Sequence, residues 1–337
     1  VLIAFVMLCF AEVGSKITTS GGVYTYMHSA FGPYFGFLTV ILFVVSTITA
    51  DAAIANAVGE IAGSFFPFFK QRFVQILLFL LVFSVLGYIN VRGVKEGVGL
   101  VKFITIAKLA PLLLLVVISW GSVTTTNLTI QEFPSITELG QISLILFFAF
   151  QGADGGLSIS GEVKNPKKTI PRAILIGILG VLILYMLIQT VAQGVLGPSL
   201  STFTDNPLGQ VANIVIGPVG FILISIGAAV SMLGNLSSEI LSIPRVLYQA
   251  SIDKTLPIKS LSRIHSKFST PYIAIISYAS LGFVFASFGG FKQLAIISSA
   301  TILLVYLGVS FSVIKLRRSV KTSQSTTGFK IPGGYLI

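Results

Sequence analysis

Apolar residues fall in long runs separated by short polar links, a pattern that predicts helices crossing hydrocarbon rather than strands or amphipathic surface helices. After a partial segment at Val1 to Ala11, runs occupy Tyr34 to Ile61, Val74 to Ile89, Leu100 to Ser119, Gln141 to Ser160, Ala173 to Leu196, Pro218 to Ile243, Tyr272 to Phe288 and Leu294 to Ile314. That is nine segments including the partial one. The chain is expected to be an all-α polytopic membrane protein.

Composition agrees. Of 337 residues 54% are hydrophobic and 10% charged, with a mean hydropathy of +0.95; a soluble domain carries roughly 25% charged residues. The net charge of +11 would suggest nucleic acid in a soluble chain, but here the basic residues sort by loop. Only Lys70, Arg72 and Lys292 fall on one side, Lys108 lies within a span, and the rest gather on the other side, which the positive-inside rule makes cytoplasmic. No nucleic-acid partner is expected; the partner of the bulk of the surface is the lipid bilayer. A single cysteine and two histidines leave no disulfide framework or metal cluster, and no cofactor is expected. His28 and His265 fall in predicted cytoplasmic loops. The tripeptide Asn127-Leu128-Thr129 lies in an outward loop and carries no weight, because such sequons are common by chance.

Val1 opens inside an apolar stretch without a basic leader, and Phe329 to Ile337 reads as a turn entering another segment. The chain is expected to be a fragment of a longer membrane protein.

One span is irregular. Leu146 to Gly156 places Gly152, Gly155, Gly156 and Asp154 at mid-membrane depth. Each glycine weakens a helix by about 1 kcal/mol relative to alanine, and a carboxylate there costs roughly 2.5–3.5 kcal/mol on insertion scales. An unwound stretch lining a cavity satisfies both. The glycines alone fit close helix packing equally well; Asp154 favours a site.

Three stretches resemble the amino acid-polyamine-organocation permeases. The first is Ala11-Glu12-Val13-Gly14-Ser15 with Ser20-Gly21-Gly22-Val23-Tyr24-Thr25-Tyr26 and Ala30-Phe31-Gly32-Pro33. The second is Phe148-Ala149-Phe150-Gln151-Gly152 with Gly161-Glu162-Val163-Lys164-Asn165-Pro166-Lys167-Lys168 and Ile170-Pro171-Arg172. The third is Pro244-Arg245-Val246-Leu247-Tyr248 with Asp253, Leu256-Pro257 and Thr270-Pro271.

The resemblance implies the inverted-repeat fold of five plus five helices (the LeuT type), incomplete at both ends. Residues 1–337 would form a single transmembrane transporter domain running from family helix two to helix ten, with a broken helix around 141–161. It implies that substrate is held near Phe148, Ala149, Phe150, Gln151 and Gly152, with helix carbonyls taking the α-amino group and the Phe148 ring acting as a gate. Family helix one, which holds the substrate carboxylate, would lie outside this chain.

Lys108 lies one turn before Pro111. By position it is either a functional lysine or one snorkelling from a helix end; the resemblance implies an ion-coupling role, with the ammonium standing in for a sodium ion and carrying the coupling proton. Asp51, Asp154 and Glu239 lie deep in spans. Around one cavity they would favour a cationic amino acid or polyamine; alternatively they serve helix packing through hydrogen bonds.

The expected function is secondary active transport of amino acids by alternating access, as antiporter or symporter, with protons as a candidate co-substrate and a lean to cationic amino acids or amines. The setting is a cell membrane of the bacterial inner-membrane kind. The competing reading is a non-transporting amino acid sensor or an inactive permease remnant. No Gly-x-Ser-x-Gly or His-Glu-x-x-His motif occurs, so an enzyme is not expected.

Overall fold

A computed structural model describes residues 2–17, 22–93, 98–129, 134–152, 165–320, 329 and 331. Eleven α-helices follow in order: α1 Leu2–Lys16, α2 Gly22–Phe31, α3 Pro33–Phe65, α4 Arg72–Arg92, α5 Val98–Ser119, α6 Ile136–Phe148, α7 Pro166–Leu196, α8 Pro207–Ile216, α9 Pro218–Ile252, α10 Tyr272–Phe288 and α11 Phe291–Val320. No strand occurs among the described residues. By length and apolarity α3, α4, α7, α9 and α11 can each cross a membrane.

Local chemistry sets the boundaries. Two Gly-Pro pairs separate helices that would otherwise run together. Gly32 (φ +90°) stands before Pro33, and Gly217 (φ +91°) before Pro218. Glycine adopts the left-handed backbone that turns the chain, and proline at the first helical position lacks an N–H that would have no partner anyway. The short helices α2 and α8 are therefore distinct elements where the sequence suggested loops, and His28 lies in α2. α8 is capped by Asn206, whose side chain accepts from Gly209 N at 3.1 Å and donates to Ser225 Oγ at 2.6 Å. α6 begins with a capping box, in which Ser135 Oγ accepts from Glu138 N while the Glu138 carboxylate accepts from Ser135 N. Those bonds hold the exposed Glu138 carboxyl below its usual range.

Helices also outrun their apolar stretches. α9 continues past Pro244 to Ile252, and α11 continues beyond Ile314 to Val320. Hydropathy marks the hydrocarbon; the helix persists into the polar region, because backbone hydrogen bonding does not stop at the membrane boundary.

α3 is the centre of the bundle, packed on α11, α9 and α10. One apolar core joins α1, α2, α3, α10 and α11; a second joins Leu115 and Val116 of α5 with Val191 of α7, Val211 of α8 and Ile224 of α9. The outside is apolar too: Val117, Ile176 and Phe73 are each more than 70% exposed. Water would penalise such a surface and lipid does not. Asn127 does not stand free as a sequon: its Nδ2 donates to Gly194 O at 3.0 Å, docking its loop on α7.

At the inner end of α1, beyond the apolar stretch, the fully buried Glu12 gathers Lys16 Nζ at 2.7 Å, Arg317 Nε at 2.7 Å, a second Arg317 nitrogen, and the Ile331 N–H at 2.9 Å. Burial opposes the charge on Glu12, yet Arg317, Lys16 and the Ile331 amide outweigh it and hold the carboxyl at about 2. This cluster ties the ends of α1 and α11 to residue 331.

Candidate functional site

A cavity of about 280 Å³ opens where α6 ends. One face of α3 supplies Phe43, Ser46, Thr47, Ala50, Asp51 and Ile54, at the three- and four-residue spacing that puts side chains on one side of a helix. The end of α6 supplies Phe148, Ala149, Gln151 and Gly152. Tyr185 of α7, Asn235, Glu239 and Ile243 of α9, and Ile302 and Tyr306 of α11 complete the wall.

α6 stops in a tight turn. Phe150 N donates to Phe147 O at 3.1 Å and Gln151 N to Phe148 O at 3.2 Å, and Gly152 takes φ +98°. The Ala149 carbonyl, released from the helix ladder, accepts the Tyr185 hydroxyl at 2.9 Å. Gln151 is a cross-brace: its Oε1 accepts from Ser298 Oγ at 2.9 Å and its Nε2 donates to Ser299 Oγ at 3.1 Å, while Ser46 Oγ on α3 donates to Ser298 O at 2.9 Å. The amide thus fastens the α6 end to α11, and through it to α3.

Asp51 is only 1% exposed. Its Oδ2 accepts the Tyr278 hydroxyl of α10 at 2.8 Å, and its Oδ1 is buried with no hydrogen-bond partner among the described residues. Glu239 shares the cavity wall. The cavity thus joins two carboxylates, amide and hydroxyl groups, and the rings of Phe43, Phe148, Tyr185 and Tyr306. The Phe148 ring meets Phe291 edge-on at 5.8 Å between centroids.

The residues anticipated from sequence are distributed as follows. Phe148, Ala149, Gln151, Gly152, Asp51 and Glu239 line one cavity. Phe150 is not on that wall; its ring packs edge-on against Tyr185 at 5.2 Å. Asp154 lies outside the described residues. Lys108 is half-buried on α5 and reaches α9 at Gly234, where a Cβ would stand 3.9 Å from Nζ; the next residue, Asn235, is on the cavity wall. Sequence reasoning missed Ser46, Thr47, Tyr185, Asn235 and Tyr306. Thr47 and Asn235 were within reach, since each precedes an anticipated acid by one helical turn, Asp51 and Glu239.

Comparison with known proteins agrees with this architecture. Over 319 residues the chain is 31% identical to the serine/threonine exchanger of Bacillus subtilis, covering 93% of this chain and 72% of that one. It is 27% identical over 359 residues to the branched-chain amino acid permease of the same organism, covering 98% and 74%. It is 26% identical over 266 residues to the arginine/ornithine antiporter of Pseudomonas aeruginosa, covering 76% and 55%. The amino acid permease profile matches residues 1–337 without remainder, and the chain belongs to that family of multi-pass membrane transporters.

Proposed function

We propose that residues 1–337 act as one transporter domain that moves amino acids across the membrane by alternating access, with substrate seated in the cavity at the end of α6. The observation that carries this reading is the convergence of a terminated helix, two carboxylates and four aromatic rings on a single cavity at the depth of the spans. Irregular backbone is tolerated at that depth where it lines such a space. Exchange is the favoured mode, because the relatives include a serine/threonine exchanger and an arginine/ornithine antiporter.

Within this reading the substrate leans cationic. Asp51 Oδ1 is a buried acceptor with no partner among the described residues, and a group left so costs about 1–3 kcal/mol. An ammonium or guanidinium side chain would satisfy it. Lys108, set against α9 beside the cavity wall, links proton movement to substrate movement.

The test is uptake of labelled arginine, serine and leucine by proteoliposomes of the full-length protein, with an alkaline interior and with or without amino acid preloaded inside. Arginine accumulation that preloading accelerates and Lys108→Ala abolishes is expected. Serine or leucine uptake in preference to arginine would return Asp51 and Glu239 to structural roles, and binding without flux for every substrate would replace the transporter by a sensor.

A further inference from the structure

A second concavity, of about 400 Å³, lies away from the substrate cavity, between α4 and α10. On α4 it is lined at Leu80, Phe83, Ser84, Gly87, Tyr88 and Val91, a single face extending roughly 16 Å along the helix. The facing wall is one side of α10, from Ile276 to Val284. Small residues make the slot: a Cβ on Gly87 would already stand 3.4 Å from Ala279 Cβ. Its lips are exposed: Tyr88 by 60% on α4, a helix long and apolar enough to span a membrane, and Ile276 by 52% on α10.

The inner end of the slot is basic. Arg92 follows directly on Val91, its guanidinium 5.3 Å from the Tyr88 ring centroid and 5.8 Å from that of Phe268. Lys267 Nζ stands 5.6 Å from the same Phe268 ring. Thr270 Oγ1 donates to Val91 O at 2.6 Å and so docks the Lys267 loop on the end of α4. Both cations are exposed, and among the described residues neither makes an ion pair. Lys95 and Glu96, which follow in sequence, lie outside the described residues and offset each other in charge.

An apolar slot at hydrocarbon depth, closed at the cytoplasmic face by two cations on an aromatic platform, matches one amphiphile. We propose that the α4–α10 groove is a binding site for an anionic phospholipid of the cytoplasmic leaflet, one acyl chain lying along Gly87 and Ala279 and the phosphate resting between Arg92 and Lys267. Apolar packing supplies the seat, and basic residues near the membrane surface supply selection for negative headgroups.

Native mass spectrometry of the full-length protein, titrated with phosphatidylglycerol and phosphatidylcholine of identical chains, tests it. The wild type is expected to retain phosphatidylglycerol preferentially. Arg92→Gln and Lys267→Gln should each weaken that preference by about fivefold while leaving phosphatidylcholine binding unchanged. Ser84→Phe, at an exposed lip that can accept a larger side chain, should reduce retention of both lipids by filling the slot. Equal retention of the two lipids by the wild type, or an Arg92→Gln/Lys267→Gln double variant that keeps the preference, overturns the proposal. So does ready disulfide dimerisation of a Ser84→Cys variant in membranes, because the groove would then be covered by a second copy of the chain.

Discussion

The Tyr278 hydroxyl on α10 donates to Asp51 Oδ2 on α3 at 2.8 Å, which commits one carboxylate oxygen to the fold, while the other is buried with no hydrogen-bond partner among the described residues. Removing the donor and removing the charge should therefore have different consequences. Tyr278→Phe strands a buried acceptor and is expected to lower stability by about 1–3 kcal/mol, read as thermal unfolding in detergent. Asp51→Asn keeps an acceptor for Tyr278, so its stability should stay near wild type while uptake of arginine falls roughly tenfold or more relative to serine, as expected for loss of a charged hydrogen bond. Unchanged selectivity in Asp51→Asn would remove the carboxylate from substrate choice.

Acid should loosen the inner end of the bundle. The Glu12 carboxyl is depressed in the folded protein to about 2, from an ordinary value of 4.5. A depressed carboxylate contributes stability that is complete above its unfolded value and is lost as the pH falls through the folded one. Thermal stability should thus decline between pH 4.5 and 2, and Glu12→Gln should be less stable at neutral pH with a flatter decline. Parallel pH profiles for wild type and Glu12→Gln would show that the Arg317 contact has no net worth.

Close packing between α4 and α10 gives a steric prediction. A Cβ on Gly282 would lie 2.5 Å from the Phe83 ring, and that ring is buried. Gly282→Ala is expected to destabilise by about 1–3 kcal/mol through overpacking. A companion Phe83→Leu substitution should recover part of the loss; additive losses in the pair would mean that the helices shift apart instead.

The Gln151 brace lends itself to a double-mutant cycle. Gln151→Ala and Ser298→Ala each break the bond between them, so their destabilisations should fall short of additive by about 1 kcal/mol. Full additivity in unfolding experiments would indicate that the bond does not persist in the membrane-embedded protein.

The apolar runs predicted the long helices well, because a segment in lipid must satisfy its own backbone and has few alternatives to a helix. Two features escaped that reading. The helices α2 and α8 are too short to register as spans, and what isolates them is the backbone of Gly32 and Gly217 rather than any change in hydropathy. At the cavity, residues with unusual chemistry for their depth, Asp51, Glu239 and Gln151, stood out. Ser46, Thr47 and Tyr185 did not, because hydroxyls are unremarkable in a membrane helix until a partner is known. Phe150 shows the limit of reading by proximity: one residue from Gln151 in sequence, it turns to Tyr185 instead of the cavity.

The hydrogen-bonded sequence from Ser46 through Ser298 to Gln151 pins three helices, far apart in the chain, at one height. A fixed point at the end of a stiff body is a hinge. Rotation of α6 about it sweeps the Ser135 end through the widest arc while the Gln151 end keeps its distance from α3 and α11, so the brace decides which end of α6 is free to swing and which holds the cavity wall in place.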